Sequence, residues 1–343
     1  MPAVTLAVAP PLRLLRTAPG ETTQEVWVGV EGHRPGLGKV SVWLDVPSGW
    51  YTPLPQEIDL DAVGSATLRF SLTLPGRIPP GSYALQAVAG HGRETFRSAR
   101  RSQPDGLGGV RTIFEPARAR LEMLDLTVPP GLRIGYIGFN NDPLPALLAQ
   151  LGVGVDMLEE RVLAGAALAE YDAIVVADRA YDYRRELVEQ NARLLEYVKA
   201  GGGLVVEHQG RDWDPGKFAP YPGTKPPNRN LRVTDEAAPV RILDPDHPVL
   251  SFPNRIGAED WQGWVQERGL YFWESWADEY TPLLELADPG EPPQRGALLY
   301  ARYGQGVYTY CGLALFRQVR AGVPGGVRLY LNLLSQRRPP LAD

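Results

Sequence analysis

The hydrophobic pattern divides the chain into two parts with different periods. Up to about residue 100, apolar and polar residues alternate in EVWVGVEG, GKVSVWLDVP, SATLRFSLTLP and GSYALQAVAG. A period of two indicates strands with one buried face, and the glycine- and proline-rich turns between them have spacings typical of β-sandwiches. The sequence therefore predicts an immunoglobulin-like β-sandwich over residues 1–105, with Trp27 and Trp43 in its core.

Beyond residue 130 the apolar residues form continuous runs. LRIGYIGF, VGVDML, AIVVAD and LVVEHQ are typical of strands buried on both faces. Helical segments that end in glycine lie between them, DPLPALLAQLG and YDYRRELVEQNARLLEYVKAGGG. This order resembles class I glutamine amidotransferase-like and flavodoxin-like domains, which implies a doubly wound, mostly parallel α/β sheet over residues 131–338. Residues 106–130 are predicted to be a linker and lead-in.

Composition narrows the classes of function. The chain has 343 residues and a formal net charge of −5, which argues against nucleic acid and membrane partners because both favour a basic face. Cys311 is the only cysteine, which excludes an intramolecular disulfide and a cysteine-based metal site. The N-terminal segment is a poor signal peptide, so we expect a cytoplasmic protein, or an exported one if a signal peptide was removed.

Polar residues follow two of the predicted strands. Arg179 and Tyr181 come after AIVVAD, and Glu207 and His208 end LVVEHQ. Ligands bind beyond the carboxyl ends of strands in open α/β sheets, so these four residues are candidate ligand-binding residues. The Arg179 guanidinium suits a carboxylate or phosphate, but a structural ion pair explains it equally well. His208 could act as an acid or base, or it could cap a loop.

The nucleophile of the amidotransferase-like fold is missing. In that fold the strand that ends at Asp178 runs into a G-x-C-x-G elbow, whereas this chain reads ADRAY. Cys311 lies in the apolar strand VYTYC, and a cysteine in that setting usually behaves as a small hydrophobic residue. A dyad of Cys311 and His208 would require the two strand ends to adjoin.

Signals for metal and cofactor binding are weak. DPDHP at 244–248 brings Asp244, Asp246 and His247 close together along the chain, a spacing that a zinc site could use. The flanking prolines favour a turn instead. We therefore predict neither a metal nor a cofactor.

The segment DWQGWVQERGLYFWESW, residues 260–276, holds four of the eight tryptophans. Large aromatic side chains dominate protein cores, so we expect most of these tryptophans to be buried. Asp260, Trp261, Glu267 and Arg268 are further candidate ligand-binding residues, with Glu267 and Arg268 facing the crevice at the strand ends. An exposed Trp261 would instead favour stacking on a glycan.

The second part of the chain also resembles a known family. RVTDEAAPVRILDPDHPVLSFPNRI, DWQGWVQERGLYF, YTPLLELADPGEPPQRGALLYARYGQGVYTY and GLALFRQVRAGVPGGVRLYLNLLS look like the C-terminal region of bacterial PIG-L (LmbE-like) deacetylases. The resemblance implies a carbohydrate ligand and a PIG-L-type deacetylase as partner. The A-H-P-D-D-E zinc motif of the deacetylase module does not occur in this chain.

These observations favour a non-catalytic accessory protein that binds a ligand or glycan and works with an N-acetylglucosamine deacetylase. The missing cysteine elbow and the missing zinc motif both argue against an enzyme. The alternative hypothesis is a hydrolase that acts on a sugar or an amide, with a rearranged active site at the carboxyl edge of the sheet.

Overall fold

The structure is a computed structural model that describes residues 1–18, 20–106, 108–139, 141–165, 167–227 and 229–337. Residue 338, the predicted end of the second domain, lies outside them. The chain forms two compact units, Met1–Asp125 and Leu126–Asp343. The first unit contains a short helix α1 (Leu60–Val63) and the following strands: β1 (Val4–Ala9), β2 (Leu12–Arg16), β3 (Thr22–Gly32), β4 (Lys39–Asp45), β5 (Gln56–Asp59), β6 (Ser65–Leu74), β7 (Gly81–His91), β8 (Glu94–Phe96), β9 (Ser98–Pro104), β10 (Val110–Pro116) and β11 (Arg118–Leu124).

Two sheets of the first unit share one core and form a β-sandwich. One sheet has the order β1-β3-β6, and the other has the order β2-β11-β7-β4-β5 with β8 beside β7. Inward-facing side chains of both sheets pack together, such as Val28 of β3 and Val42 of β4. The alternating pattern of the first 100 residues therefore predicted this β-sandwich correctly.

The expected burial of Trp27 and Trp43 was wrong. Trp27 alternates with the buried Val26 and Val28 and is 40% exposed. Trp43 likewise alternates with buried residues of β4 and is only partly buried. Successive side chains of a strand point to opposite faces of the sheet, so the tryptophans lie on the outer face because their neighbours face the core.

The region assigned to a linker also differs from the prediction. Strands β9 and β10 pair as an antiparallel hairpin, and β11 pairs with β2 and β7 in the sandwich. Much of the predicted 106–130 segment is therefore strand. The glycine-rich composition around residue 106 marks the turn of a hairpin instead of a connection between domains.

The second unit contains longer helices and a larger sheet. Its helices are α2 (Leu144–Gln150), α3 (Glu160–Gly165), α4 (Ala180–Tyr183), α5 (Glu186–Lys199), α6 (Pro215–Phe218), α7 (Pro248–Ser251), α8 (Leu315–Ala321) and α9 (Pro324–Leu334). Its strands are β12 (Arg133–Ile137), β13 (Gly154–Met157), β14 (Ala173–Val176), β15 (Gly203–Glu207), β16 (Gly223–Thr224), β17 (Leu231–Val233), β18 (Val240–Ile242), β19 (Gly269–Phe272), β20 (Ser275–Trp276), β21 (Tyr280–Pro282), β22 (Leu284–Leu286), β23 (Leu298–Tyr303) and β24 (Gly306–Cys311).

The large sheet places several strand ends at one edge. Its order within the described residues is β13-β12-β14-β15-β24-β23-β21. The pairs from β13 to β24 are parallel, whereas β23 and β21 are added antiparallel. Residues 177–179, 207–209 and 311–313 therefore lie at the ends of neighbouring parallel strands on the same edge, which we call the carboxyl edge.

The predicted fold class was wrong. The chain is about 39% strand and 20% helix, and twelve of the seventeen strand pairings in the described residues are antiparallel. Seven of these twelve lie in the first unit, and in the second unit the departure from the predicted fold lies in residues 208–305. Strands and helices stop alternating there, and the chain forms short antiparallel pairs, β16 with β20, β17 with β19 and β18 with β22. The protein has a β-rich fold with many antiparallel sheets.

The helix α5 illustrates how the helices attach to the sheet. Its buried residues include Leu187, Leu194 and Val198, at helical spacing, and these side chains share a core with the strands. Gly201 follows with a φ of 109°, a conformation that glycine adopts without steric cost. Among the helices of the described residues, none is long and apolar enough to cross a membrane.

Candidate functional site

The turn after β14 has an unusual backbone. Arg179 adopts the left-handed conformation with φ 54° and ψ 20° just before α4, which costs a non-glycine residue roughly 1–2 kcal/mol. Its N–H donates to the carbonyl of His208 at 2.9 Å. The Gln209 side chain donates to the carbonyl of Ala177 at 2.8 Å. These bonds join the ends of β14 and β15 and hold the turn in place.

The Arg179 side chain points away from the sheet and is 45% exposed. Its Nε donates to Asp182 Oδ2 at 2.8 Å, and its guanidinium lies 5.5 Å from the centre of the Tyr183 ring. Gly210 faces Asp182 so closely that a Cβ there would lie 2.4 Å from the carboxylate. The ion pair uses one edge of the guanidinium, and its exposed part remains available to a ligand.

His208 lies under this turn and is nearly enclosed. It is 4% exposed, and its ring packs against Tyr271 at 5.7 Å and Phe316 at 5.3 Å between centroids. Its Nδ1 has no hydrogen-bond partner among the described residues. Burial, together with the positive charges of Arg317, Arg179 and Lys225, lowers the pKa of His208 to about 3. The imidazole is therefore neutral at pH 7.

Three cations surround His208, and we call Arg179, Lys225 and Arg317 the cation group. Lys225 Nζ donates to the carbonyls of Gly210 and Gln209, and burial lowers its pKa to about 8. Within the described residues, no carboxylate forms an ion pair with Lys225. Its ammonium lies over the rings of Trp213 and Tyr271. Within the group, Arg179 pairs with Asp182 and Arg317 pairs with Glu267, so Lys225 is the member without an ion pair in the described part of the chain. The carboxylates of Asp182, Asp212 and Asp214 act on its charge from a greater distance.

Arg317 connects the cation group to the tryptophan segment. Its Nε lies 3.1 Å from Glu267 Oε1, and its Nη1 donates to the side chain of Gln266. Tyr271, whose ring packs on His208, also has a positive φ of 59°. Non-glycine residues in this conformation cluster at functional sites, and Arg179 and Tyr271 are two of them on either side of His208.

A second group beneath the edge contains carboxylates, and we call Asp142, Asp178 and Glu207 the acid cluster. Arg320 Nη2 lies 2.9 Å from Asp142 and 3.9 Å from Asp178. Glu207 is 1% exposed and accepts a hydrogen bond from the Asp178 N–H at 2.9 Å. Burial and the charge of Asp178 raise the pKa of Glu207 to about 8. Glu207 is thus a buried, largely protonated acid at neutral pH.

Cys311 is next to this cluster but has no nucleophilic character. It pairs with Glu207 in the register of β15 and β24, so the two strand ends do adjoin. The thiol is completely buried, and burial and the nearby Glu207 raise its pKa. Because the thiolate is the reactive form, the inert interpretation of Cys311 is the one that the environment favours.

Tyr181 is not part of the edge surface. Its hydroxyl donates to Asn191 Oδ1 at 2.5 Å, and its ring packs against Trp213 and Phe218. Tyr181 therefore anchors α4 to the core of the unit. Of the four residues that were predicted at the strand ends, Arg179 and His208 lie at the cation group, and Glu207 lies in the acid cluster below.

Three of the four tryptophans in the segment 260–276 are buried, as expected. Trp261, Trp264 and Trp273 are at most 5% exposed, whereas Trp276 is partly buried. Trp261 and Trp264 pack together with ring centroids 5.4 Å apart. Asp260 is also buried and binds Arg328 at 3.0 Å and the N–H of Gly257 at 2.8 Å, so its carboxylate supports the local fold.

The prediction that Glu267 and Arg268 face the crevice together was wrong for Arg268. The Glu267 carboxylate forms an ion pair with Arg317 of the cation group at 3.1 Å, which places it near the carboxyl edge. Arg268 is 3% exposed and donates to the carbonyls of Ala238 at 3.0 Å and Trp261 at 2.7 Å. The two residues lie in an irregular turn before β19, in which Gln266 has a positive φ of 69° and the Glu267 N–H donates to the carbonyl of Val265, so the direction of each side chain follows from the turn and not from a sequence period.

The DPDHP segment forms a turn. His247 Nδ1 accepts a hydrogen bond from the N–H of Val249 at 3.2 Å, and His247 N-caps α7. The described residues contain no cluster of three or more histidine, cysteine or acidic side chains suited to a metal ion.

Sequence reasoning missed Lys225, Arg317 and Tyr271. Lys225 is one of only four lysines and lies between Thr224 and Pro226 in GTKPP. Arg317 and Arg320 are spaced by three in LFRQVRAG, which places both on one face of α8. These signals were visible, but only the fold shows that they converge on His208.

Comparisons with known proteins return only weak similarity. No protein-family model and no curated protein sequence matches the chain. Among solved structures, the β-galactosidase from Rahnella sp. R3 is 14% identical, with a TM-score of 0.34, and the match covers 60% of this chain and 32% of that one. The β-galactosidase from Bacillus circulans sp. alkalophilus is 11% identical, with a TM-score of 0.34 and coverages of 64% and 33%.

A family 123 glycoside hydrolase from Clostridium perfringens is 11% identical, with a TM-score of 0.22 and coverages of 60% and 38%. The chain thus spans about a third of the length of these proteins. Similarity of this size supports no inference about activity or ligand.

Proposed function

We propose that this protein binds a small anionic ligand at the cation group and does not hydrolyse it. The observation that carries the proposal is the position of Arg179, a half-exposed guanidinium held in a left-handed turn at the carboxyl edge. Arg317 and the partly buried Lys225 add positive charge around the same histidine. A guanidinium and an ammonium over aromatic rings together favour a carboxylate or phosphate.

The chemistry of the edge favours binding over hydrolysis. A hydrolase of the acyl-transfer type needs a nucleophile within hydrogen-bond reach of a base. Among the described residues, His208 Nδ1 has no partner, and the Cys311 thiol is buried with a raised pKa. Sequence resemblance to the accessory region of PIG-L-type deacetylases adds the hypothesis that the anion is carried on an N-acetylglucosamine-type sugar and that a deacetylase is the partner.

Matched sugars test this proposal. N-Acetylmuramic acid and N-acetylglucosamine 6-phosphate carry an anion on a common ring, and N-acetylglucosamine is the neutral control. We expect at least one acidic sugar to bind by calorimetry and the neutral sugar to bind at least about tenfold more weakly. The Arg179→Ala variant should lose this binding and fold normally.

Arg133→Ala is the matched control variant. Arg133 is 47% exposed and pairs with Asp156 at 2.7 Å, much as Arg179 pairs with Asp182, but it begins β12 and therefore lies at the opposite edge of the sheet. It should leave binding unchanged. Equal loss in both variants, or binding of no anionic sugar, would refute the proposal. Turnover of an amide or glycoside that disappears in His208→Ala would favour the hydrolase instead.

A further inference from the structure

The tryptophan segment borders a cavity on the second unit, and none of the residues that line this cavity belongs to the cation group. Its volume is about 620 Å³, within the size range of small-molecule sites. The walls include Glu236, Ala237, Val240, Trp261, Trp264 and Arg268. Two indole rings and one guanidinium therefore face a space large enough for a ring-shaped ligand.

The charge of Arg268 is only partly balanced, by the more distant carboxylates of Asp235 and Glu236. Its two hydrogen bonds go to backbone carbonyls, and its guanidinium lies 5.1 Å from the centre of the Trp264 ring. No carboxylate of the described residues forms an ion pair with it. Buried charges are usually paired, and burial lowers the pKa of Arg268 only to about 10. It stays charged at neutral pH.

We propose that this cavity, the tryptophan cavity, is a ligand site that binds a carboxylate carried on a six-membered ring. The carboxylate pairs with Arg268, and the ring packs against the indoles. The single guanidinium matches a single negative charge. Glu236, which is exposed and lines the cavity, disfavours a more highly charged anion.

The probes distinguish two classes of ligand that carry a carboxylate on a six-membered ring. Benzoate represents an aromatic acid and D-glucuronate an acidic sugar, with benzamide and glucose as uncharged counterparts. We expect one or both carboxylates to bind, and each uncharged counterpart to bind at least about tenfold more weakly than its acid. Quenching of tryptophan fluorescence and calorimetry both report the binding.

Substitutions in the cavity test its location without breaking the fold. Ala237 is exposed and lines the cavity, so Ala237→Trp fills the space and should reduce affinity by about tenfold or more. Ala192→Trp, on the exposed side of α5, is the matched control and should bind normally. Glu236→Gln removes a competing negative charge and should tighten binding several-fold.

The result that overturns the inference is equally specific. Binding of neither carboxylate at millimolar concentration, equal binding of acid and uncharged counterpart, or unchanged binding in Ala237→Trp would each refute it. Because the cation group also suits carboxylates, the binding that Ala237→Trp removes is the one to follow, and it should persist in Arg179→Ala, since Arg179 does not line this cavity. Failure of the tryptophan cavity and failure of the cation group are therefore separate outcomes.

Discussion

The carboxyl edge and the tryptophan segment each hold an arginine, and the protein treats the two in opposite ways. Arg179 is 45% exposed and pairs with the carboxylate of Asp182. Arg268 is 3% exposed and is held by two carbonyl oxygens and an indole ring. For Arg179 the unfavourable free energy lies in the backbone, which has a φ of 54°. For Arg268 it lies in the charged side chain, which has lost nearly all of its contact with water.

The difference shows two ways in which the fold holds a positively charged side chain. At the edge, exposure makes the ion pair weak, because water screens surface pairs to roughly 0–1 kcal/mol. In the tryptophan segment, the Arg268 charge is buried and bonded to the carbonyls of Ala238 and Trp261. Loss of the packing around it would therefore expose or unpair the charge. Substitutions should therefore affect stability strongly in the tryptophan segment, and mostly affect binding at the edge.

The largest expected effect is that of Trp264→Ala. Trp264 is 4% exposed, donates to the carbonyl of Asp260 at 2.9 Å and covers Arg268. Truncation of a buried tryptophan costs about 3–5 kcal/mol, and chemical denaturation should measure a loss of that size. Trp27→Ala is the control, because Trp27 is 40% exposed, and it should cost far less. Equal losses would mean that burial does not distinguish the two tryptophans.

An intermediate effect should come from Glu207→Gln, and it should depend on pH. The pKa of Glu207 is raised from 4.5 to about 8 by burial and by Asp178, so the folded state binds a proton that the unfolded state releases. Stability should therefore be highest at low pH and fall as pH rises towards 8.

The cleanest window for this measurement is pH 6.5 to 8. Below 6.5, the lowered pKa of His208 acts in the opposite direction, since the folded state resists protonation of the buried imidazole. Above 8, the lowered pKa of Lys225 makes stability rise with pH. Glu207→Gln should flatten the curve of unfolding free energy within the window and be more stable than the parent at pH 8. An unchanged slope would show that Glu207 does not carry the extra proton.

The smallest expected effects are those of two substitutions at Arg179. Arg179→Ala removes an exposed ion pair and should change the unfolding free energy by about 0.5 kcal/mol or less. Arg179→Gly removes the same side chain but accepts the left-handed conformation, and it should be more stable than Arg179→Ala by about 1 kcal/mol. If Arg179→Ala melts several degrees lower, Arg179 is a structural member of the edge and the contrast with Arg268 fails.

Local pattern determined the elements more reliably than their arrangement. The alternation in the first unit and the apolar runs at β12, β14 and β15 predicted strands that are present, because burial on one or two faces is encoded in adjacent residues. The fold class was wrong because residues 208–305 form short antiparallel pairs. Strands of two to four residues are too short to show a period.

The same limit applies to the site. The sequence by itself determined that Arg179, Glu207 and His208 lie at strand ends, that Cys311 lies in an apolar strand, and that most tryptophans of residues 260–276 belong in a core. Only the tertiary structure decided that Lys225 and Arg317 join Arg179 around His208, and that Arg268 turns inward while Glu267 does not. Charge and chain position are local properties, whereas the water that a side chain loses depends on distant segments packed against it.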